Sequence, residues 1–280
     1  MQKNTHIVIK AKTNLLDIHL SELIQYRDLI WIFFKRNYAT RYKQTILGPA
    51  WLIISPLFTM VIYTIVFGGI AGLSTDQIPQ PLFYLAGNIF WGLFSDCLHG
   101  TASTFTGNVG ILGKVYFPRL VIPISNIITS CADFVIKLGL MAVFIGFYFL
   151  HGDGLFFSGK IIFLPVLMLQ VCLIGMGIGI LVSALTTKYR DLQVLVGFGM
   201  QIWMYATPVI YSRTMVPERF HMIFMCNPIT PAILMFKNIF FSTDADAVKY
   251  WGISWGITLI ILLAGIIVFN QAEKSFMDTI

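Results

Sequence analysis

Four ionisable side chains stand inside long apolar stretches of this sequence. Asp133 and Lys137 are four residues apart with the acid first, and Asp96 and His99 are three residues apart. A charge inside an apolar helix costs about 2.5–3.5 kcal/mol on insertion scales and needs a partner or water. Asp133 and Lys137 share one helical face, so we predict that they pair with each other in a structural role. Asp96 and His99 fit a polar contact, a subunit contact or part of a passage wall, and the sequence does not rank these.

The sequence contains no recognisable enzyme active site. Its five histidines form no H-E-x-x-H motif, and no G-x-S-x-G elbow is present for a nucleophilic serine. Residues 108–115 come nearest to a phosphate-binding loop, but Asn108 replaces its first glycine and Val115 replaces the magnesium-binding Ser or Thr. We therefore predict no catalytic residue, no metal site and no ATPase in this chain. A membrane acyltransferase or protease remains a minor alternative.

Four basic residues crowd into nine positions before the first long apolar stretch: Lys35, Arg36, Arg41 and Lys43. Each contributes about 1 kcal/mol of attraction to an anionic membrane surface. Residues 17–42, which contain three of these four, mix apolar and charged side chains, as in a helix that lies in the membrane interface. Orientation and lipid contact are the plain interpretation. The sharper one is a docking place for a phosphate-bearing lipid substrate, because arginine matches phosphate oxygens well.

The composition of the chain is that of an integral membrane protein. Apolar residues make up 57% and charged residues only 11% of the 280 residues, whereas a soluble domain carries about 25% charged residues. The uncharged runs have the length that a bilayer core of roughly 30 Å requires of a helix. They are apolar on all sides, unlike the alternating strands of a membrane barrel. We predict six transmembrane helices, at residues 47–67, 81–105, 121–150, 161–185, 194–211 and 251–269.

The distribution of Lys and Arg predicts the orientation of these spans. Thirteen of the nineteen basic residues lie before span one, between spans two and three, between spans four and five, or after span six. The positive-inside rule makes this set and both termini cytoplasmic. The net charge of +6 is then mostly a topology signal, and no nucleic-acid partner is expected. We expect no cleaved signal peptide, a cytoplasmic N-terminal segment at 1–45 and one membrane domain at 46–280.

The connection between spans five and six, residues 212–250, is too apolar for a free loop. Residues 231–241 are predicted to re-enter the membrane as short helices whose ends are buried by protein. A seventh span competes with this interpretation, but the polar residues 242–246 come too soon for about 20 apolar residues. The predicted fold is thus an all-α integral membrane protein with six transmembrane helices, an N-terminal amphipathic interfacial helix and short re-entrant helices between spans five and six.

Four short segments occur in order along the six predicted spans and the connections between them. They are RYKQTILGPAW at 41–51, KVYFPR at 114–119, YRDL at 189–192, and TPVIY at 207–211 with Asn227-Pro228. Together they resemble the permease subunit of ABC-2 type exporters of polysaccharides, the group that handles O-antigen, teichoic acid and capsule. Each segment alone is weak, but the set is specific for the family, though not for one glycan.

The resemblance implies a multi-pass permease of the bacterial inner membrane that works as a homodimer with two copies of a separate ATP-binding cassette subunit. This chain would bind no cofactor, since ATP and magnesium would belong to the partner. The cargo would be a lipid-linked, O-antigen-like polysaccharide. An ABC-2 exporter of a drug or another lipid is the nearest alternative, and a secondary transporter driven by an ion gradient is a weaker one.

The resemblance also implies three sets of site residues. The segment after span two resembles the family's coupling helix, although an ordinary loop would also fit, and the coupling set is Asn108, Lys114, Tyr116, Phe117, Arg119, Lys188, Arg190 and Asp191. The entrance set for a lipid diphosphate is Lys35, Arg36, Arg41 and Lys43. Spans one and five resemble pore-lining helices, and sugar rings pack on aromatic faces. The passage set is Trp51, Phe58, Tyr63, Trp203 and Tyr205, for which an interfacial aromatic belt is the other interpretation.

Overall fold

The computed structural model describes residues 20–151, 159–186, 189, 191–242 and 247–279. Every regular element in that part of the chain is a helix. Helices α1 (Leu20–Gln25) and α2 (Arg27–Tyr42) precede the bundle. The bundle contains α3 (Trp51–Tyr63, continued by the wider turns of Thr64–Ile70), α4 (Gln80–Ala102), α5 (Val109–Leu112), α6 (Val121–Leu150), α7 (Leu164–Thr186), α8 (Leu192–Tyr205), α9 (Glu218–Cys226), α10 (Ile229–Phe241) and α11 (Ala247–Thr279).

Among the described residues, four helical stretches are long and apolar enough to cross a bilayer. They are Gly48–Ile70, Val121–Leu150, Lys160–Thr186 and Ala247–Gln271, and they correspond to the predicted spans one, three, four and six. Helices α9 and α10 are bent by 96° relative to each other and add a fifth crossing if the pair is one broken span. The all-α membrane class is confirmed, while the count of six spans and the re-entrant path stay predictions.

Helix α4, the predicted second span, is the central helix of the bundle. It packs against α3, α6, α7 and α10, and most of its side chains are buried, including the large rings of Tyr84, Phe90 and Phe94. It has the length of a span but is less apolar than the four stretches above. A helix that is surrounded by protein does not need a lipid-facing surface, so α4 tolerates the polar residues Ser95 and Asp96.

Helix α8, at the place of the predicted fifth span, is shorter than expected. It ends at Tyr205 rather than at residue 211 and has 14 residues, or about 21 Å at 1.5 Å per residue. Thr207 precedes Pro208, and the residue before a proline is disfavoured in the helical conformation. The carbonyl oxygen of Pro208 accepts a hydrogen bond of 2.6 Å from Lys237 Nζ on α10, which holds the chain after the helix end.

Alternate glycines on α7 allow its two neighbours to approach closely. A Cβ atom on Gly175 or Gly179 would lie 2.7 or 2.6 Å from a side-chain carbon of α4. On the other side, a Cβ on Gly265 of α11 would lie 2.7 Å from the carbonyl oxygen of Gly177. Helices in membranes associate by close packing of small residues, because lipid supplies no hydrophobic driving force between them. The glycines therefore join α4, α7 and α11 into a close-packed core.

We predict that Gly179→Ala lowers the thermal unfolding midpoint of the purified protein. The added methyl group meets both the side chain of Thr101 and the backbone of α4, and overpacking of this kind costs about 1–3 kcal/mol. Gly146→Ala on α6 is the matched control, since a Cβ there meets nothing within 4 Å and alanine favours the helix. Equal midpoints for the two variants would contradict the close packing of α4 and α7.

Candidate functional site

Helix α2 lies beside the end of the bundle at which α4 ends and α6 begins. Its Phe33 is buried, with the ring centroid 5.7 Å from that of Phe117. Trp31 and Ile32 are exposed on the same helix, and Lys35 lies over the Trp31 ring at 5.7 Å. One side of α2 thus contacts the bundle while apolar and basic side chains face outward, an arrangement that suits a membrane interface.

The last turn of α2 supplies the partners of Asp133. Arg41 Nη1 donates to Asp133 Oδ2, and the Tyr42 hydroxyl donates to Asp133 Oδ1 at 3.3 Å. The Asp133 side chain is 1% exposed and that of Arg41 is 45% exposed. Burial and, after it, the Asp133 carboxylate raise the pKa of Tyr42 to about 12, so the hydroxyl keeps the proton that it donates. Helix α2 is therefore held to α6 through a buried carboxylate.

Lys137 pairs with a residue of another helix as well. Its Nζ lies 3.5 Å from Asp96 Oδ2 on α4, so the predicted pairing of Asp133 with Lys137 is not the one that forms. Arg41 reaches Asp133 from α2, and Lys137 is left to Asp96. His99 does not pair with Asp96 either, because its Nδ1 is 2.9 Å from the backbone oxygen of Ser95 within the same helix.

Two polar cavities meet at these ion pairs, since Arg41 and Asp96 line both. The Asn126 cavity has a volume of about 620 Å³ and is lined by Arg36, Asn37, Thr40, Arg41, Asp96, Gly100, Ser103, Gly107, Asn108, Gly110, Ile111, Asn126, Thr129 and Ser130. The Asp133 cavity has about 420 Å³ and is lined by Arg41, Tyr42, Thr45, Trp51, Leu52, Ser55, Pro56, Thr59, Asn88, Ile89, Trp91, Gly92, Ser95, Asp96, Asp133 and Lys137. Such volumes are typical of small-molecule sites.

Amide and guanidinium hydrogen bonds connect α2 to three parts of the bundle around the Asn126 cavity. Arg36 Nη2 donates to Asn108 Oδ1 at 3.2 Å, at the start of α5. Asn37 Nδ2 donates to Asn126 Oδ1 on α6 at 2.7 Å. Asn126 Nδ2 in turn donates to the carbonyl oxygen of Gly100 on α4 at 2.6 Å. A displacement of the segment after α4 would therefore act directly on α2.

The predicted coupling set divides into exposed and buried residues. Lys114 and Tyr116 are exposed, Tyr116 at 73%. Phe117 is buried against α2, and Arg119 is buried with its guanidinium 5.7 Å from the ring centroid of Phe105. Asp191 is exposed before α8, whereas Lys188 and Arg190 lie outside the described residues. The exposed side chains can meet another protein, and the buried ones position the segment.

The predicted passage set also divides in two. Trp51, Phe58 and Tyr205 are exposed on α3 and α8. Several large apolar neighbours on the two helices are exposed with them: Ile62 and Ile65 after Phe58, and Val194, Leu195, Phe198 and Ile202 before Tyr205. Met200 is the buried residue of α8. These faces of α3 and α8 need lipid or another protein surface to cover them.

Tyr63 and Trp203 pack between helices. The Tyr63 hydroxyl lies 3.8 Å from Met204 Sδ. The Trp203 indole N–H donates to Asn227 Oδ1 at 3.1 Å, at the break between α9 and α10, and its ring contacts those of Trp91 and Phe94 edge to face. Trp203 therefore fixes α8 to this break.

Sequence reasoning missed Asn37, Tyr42 and Asn126 as parts of the site. The signal for Asn126 was present, because an amide inside an apolar stretch needs a hydrogen-bonding partner. Asn37 and Tyr42 stand in a mixed polar and apolar segment, where side chains of these types are ordinary. Only their contacts with α6 single them out.

Comparison with known proteins gives consistent matches along the chain. The family model for the ABC-2 type transporter matches residues 28–241. The chain is 27% identical over 252 residues to the O-antigen export system permease protein RfbA of Klebsiella pneumoniae, covering 90% of this chain and 94% of that protein. It is also 27% identical over 263 residues to the O-antigen export system permease protein RfbA of Myxococcus xanthus, covering 92% and 98%. The family match includes every residue that lines the two cavities.

We predict that Arg41→Gln lowers the free energy of unfolding by about 2 kcal/mol, because a buried carboxylate loses its cation. Adding Asp133→Asn to this variant should recover more than half of the loss, since the two amides can hydrogen-bond without a buried charge. Unfolding midpoints of the purified variants measure both effects.

The exposed pair Arg27 and Asp28, 3.9 Å apart on the surface of α2, provides the matched control. Arg27→Gln should change stability by less than about 1 kcal/mol, as is typical of exposed ion pairs. Equal losses for Arg27→Gln and Arg41→Gln would show that Asp133 does not depend on α2.

Proposed function

The chain belongs to the ABC-2 type transporter family, and we propose that it is the permease subunit of an ATP-driven exporter of a lipid-linked, O-antigen-like polysaccharide. The choice of cargo is supported by the likeness to O-antigen export permeases over 90% or more of the chain. We place the protein in the bacterial inner membrane with six spans and both termini in the cytoplasm, since the basic residues cluster on that side. The α5 end of the bundle is then the cytoplasmic end.

We assign ATP hydrolysis to a separate subunit that docks at the cytoplasmic end. The exposed Tyr116 offers it an aromatic anchor, a residue type that dominates interface hot spots, and the exposed Lys114 adds a positive charge. Asp191 is also exposed and provides a second contact. Phe117 and the hydrogen bond from Arg36 to Asn108 join this surface to α2. Movement of the ATPase would therefore reach α2 over a short path.

The two polar cavities are the proposed entrance for the lipid diphosphate. Arg36, Arg41 and Lys137 bring three positive charges to their walls, against two carboxylates from Asp96 and Asp133. A diphosphate needs cations and hydrogen-bond donors, and guanidinium groups fit its oxygens. The lipid tail would stay beside the exposed apolar face of α2. The cations in this lining favour an anionic lipid-linked glycan over an uncharged drug.

Lys35 and Lys43 complete the proposed entrance from outside the cavities. Both are exposed on or directly after α2, where cations attract anionic head groups to the membrane surface. They would concentrate the substrate, while Arg36 and Arg41 would bind it.

The glycan passage would form between two copies of the chain. The exposed faces of α3 and α8 would turn toward each other across the homodimer, with Trp51, Phe58 and Tyr205 available to sugar rings. Tyr63 and Trp203 would support this wall from behind. The bent pair α9 and α10 would re-enter the membrane at the outer end, and Trp203 would connect that end to the passage.

We expect that a strain without this chain lacks the surface polysaccharide and accumulates the lipid-linked polymer inside the inner membrane. Export requires both subunits, so loss of the partner ATPase should give the same phenotype. Immunoblots of surface glycan and mass spectrometry of inner-membrane lipids measure the two pools. An intact surface glycan in the strain without the chain would overturn the proposed function.

We also expect Tyr116→Ala to reduce the amount of ATP-binding subunit that copurifies with the permease by about tenfold, because an exposed aromatic anchor is lost. Met222→Ala on α9 is the control, since Met222 is 80% exposed at the opposite end of the proposed topology. Quantitative mass spectrometry of gently purified complexes gives the stoichiometry. Equal recovery from both variants would remove Tyr116 from the docking surface.

A further inference from the structure

Arg41 lies between a buried carboxylate and an open cavity. Its Nη1 donates to Asp133, yet the side chain is 45% exposed and lines both cavities. A guanidinium has five N–H donors arranged as a rigid fork. Asp133 takes the Nη1 donor of this fork, so an anion that enters the Asp133 cavity competes with Asp133 for the same guanidinium charge.

Asp133 can stay paired when Arg41 turns away from it. Lys137 is four residues further along the same helix, on the same face, and its flexible stem carries a mobile ammonium group. In the structure the Lys137 Nζ is 3.5 Å from Asp96 Oδ2, and the Asp96 side chain is 38% exposed at the cavity wall. If Lys137 moves to Asp133, the buried carboxylate keeps a cation and Asp96 is left to water. The Tyr42 hydroxyl, 3.3 Å from Asp133 Oδ1, can donate in both arrangements.

The charge of the entering anion and the number of its acceptor oxygens decide which of the two arrangements forms. A phosphodiester head group carries one negative charge, as Asp133 does, so it gains little by replacing a carboxylate that is already in place. A diphosphate carries at least two charges and more acceptor oxygens, and it can bind the guanidinium fork with two hydrogen bonds. The diphosphate can therefore displace Asp133 where a single phosphodiester cannot.

We propose that Asp133 is a specificity-determining residue: it occupies Arg41 as an internal competitor, so that the site admits a lipid diphosphate and rejects the single phosphodiesters of bulk anionic phospholipids. This inference rests on the proposed function, which supplies a lipid diphosphate as cargo. Rejection by a built-in competing group is a general route to specificity. In the proposed topology α2 lies at the cytoplasmic leaflet, where anionic phospholipids are attracted to the same cations.

The test measures binding of geranylgeranyl diphosphate to the full-length protein in nanodiscs of phosphatidylcholine, with and without phosphatidylglycerol. Wild-type protein should bind the diphosphate with little change when phosphatidylglycerol is added. Asp133→Asn should tighten binding about tenfold, the value of one charge-assisted hydrogen bond, and should make binding sensitive to phosphatidylglycerol. A merely structural role of Asp133 would produce no such lipid sensitivity.

Three further variants define the source of the effect. Arg41→Gln should weaken diphosphate binding about tenfold or more, and Arg41→Gln/Asp133→Asn should bind no better than Arg41→Gln, because the competition requires Arg41. Asp28→Asn removes an exposed acid of α2 and should leave binding unchanged. Inorganic pyrophosphate as a second probe separates the head group from the lipid. Tightening with pyrophosphate but not with the prenyl diphosphate would overturn the proposal for a lipid ligand.

Unchanged or weaker diphosphate binding by Asp133→Asn, in protein that unfolds like the wild type, overturns the proposal. If Asp133→Asn does not fold, Tyr42→Phe takes its place. That variant removes one donor from Asp133 and should weaken diphosphate binding about threefold, because Asp133 then depends more on Arg41. Unchanged or tighter binding by Tyr42→Phe would overturn the proposal as well.

The surface glycan assay keeps this result apart from the proposed function. If Asp133→Asn does not tighten diphosphate binding but glycan export is normal, the specificity role of Asp133 is overturned and the exporter function is not. Normal surface glycan in a strain without the chain would overturn the exporter, whatever the binding constants are.

Discussion

A carboxylate that is buried inside a membrane-spanning bundle must be paired, and the partner of Asp133 determines where α2 lies. Arg41 and Tyr42 reach Asp133 from the last turn of α2. The hydrogen bond that the Asn37 side-chain amide donates to Asn126 attaches the same helix one turn earlier. Isolated charges in this environment cost several kcal/mol, so α2 cannot leave the bundle unless another cation replaces Arg41. The shape of both cavities follows from this attachment.

Helix α4 separates a rigid side of the bundle from a polar one. Toward α7 it presents surfaces that glycines contact closely, and this contact continues through α7 to α11. Toward α2, α3 and α6 it presents Ser95 and Asp96 to the cavities. Because protein surrounds α4 on most sides, the helix carries polar groups that lipid would not tolerate. The bundle is thus close-packed on the side of α7 and α11, and it is held by exchangeable ion pairs on the side of α2, α3 and α6. This combination suits a protein that moves a large substrate.

Local patterns in the sequence were sufficient for part of this architecture. Hydropathy and length predicted six spans, and four of them correspond to described helices that are long and apolar enough to cross a bilayer. The basic cluster before the first span contains Arg36 and Arg41, which line the Asn126 cavity. The partner of Asp133 was not predictable in the same way, because Arg41 is 92 residues away and the local spacing favoured Lys137. Residues 194–211 were sufficiently apolar for a span, but Pro208 interrupts them. Phe117 and Arg119 looked available to a partner protein, but their burial depends on how the segment folds against α2 and Phe105.

We propose that the diphosphate of the lipid-linked glycan enters the Asp133 cavity, and photocrosslinking in living cells tests this proposal most directly. A photoreactive amino acid at Ser55 would lie in the wall of this cavity, and one at Phe147 would lie at an exposed position on α6 outside both cavities. Irradiation should attach glycan to the protein at Ser55, as a ladder of heavier bands that reacts with antibody to the polysaccharide, and should attach none at Phe147. Ladders of equal intensity at the two positions, or none at Ser55 while export continues, would contradict the account.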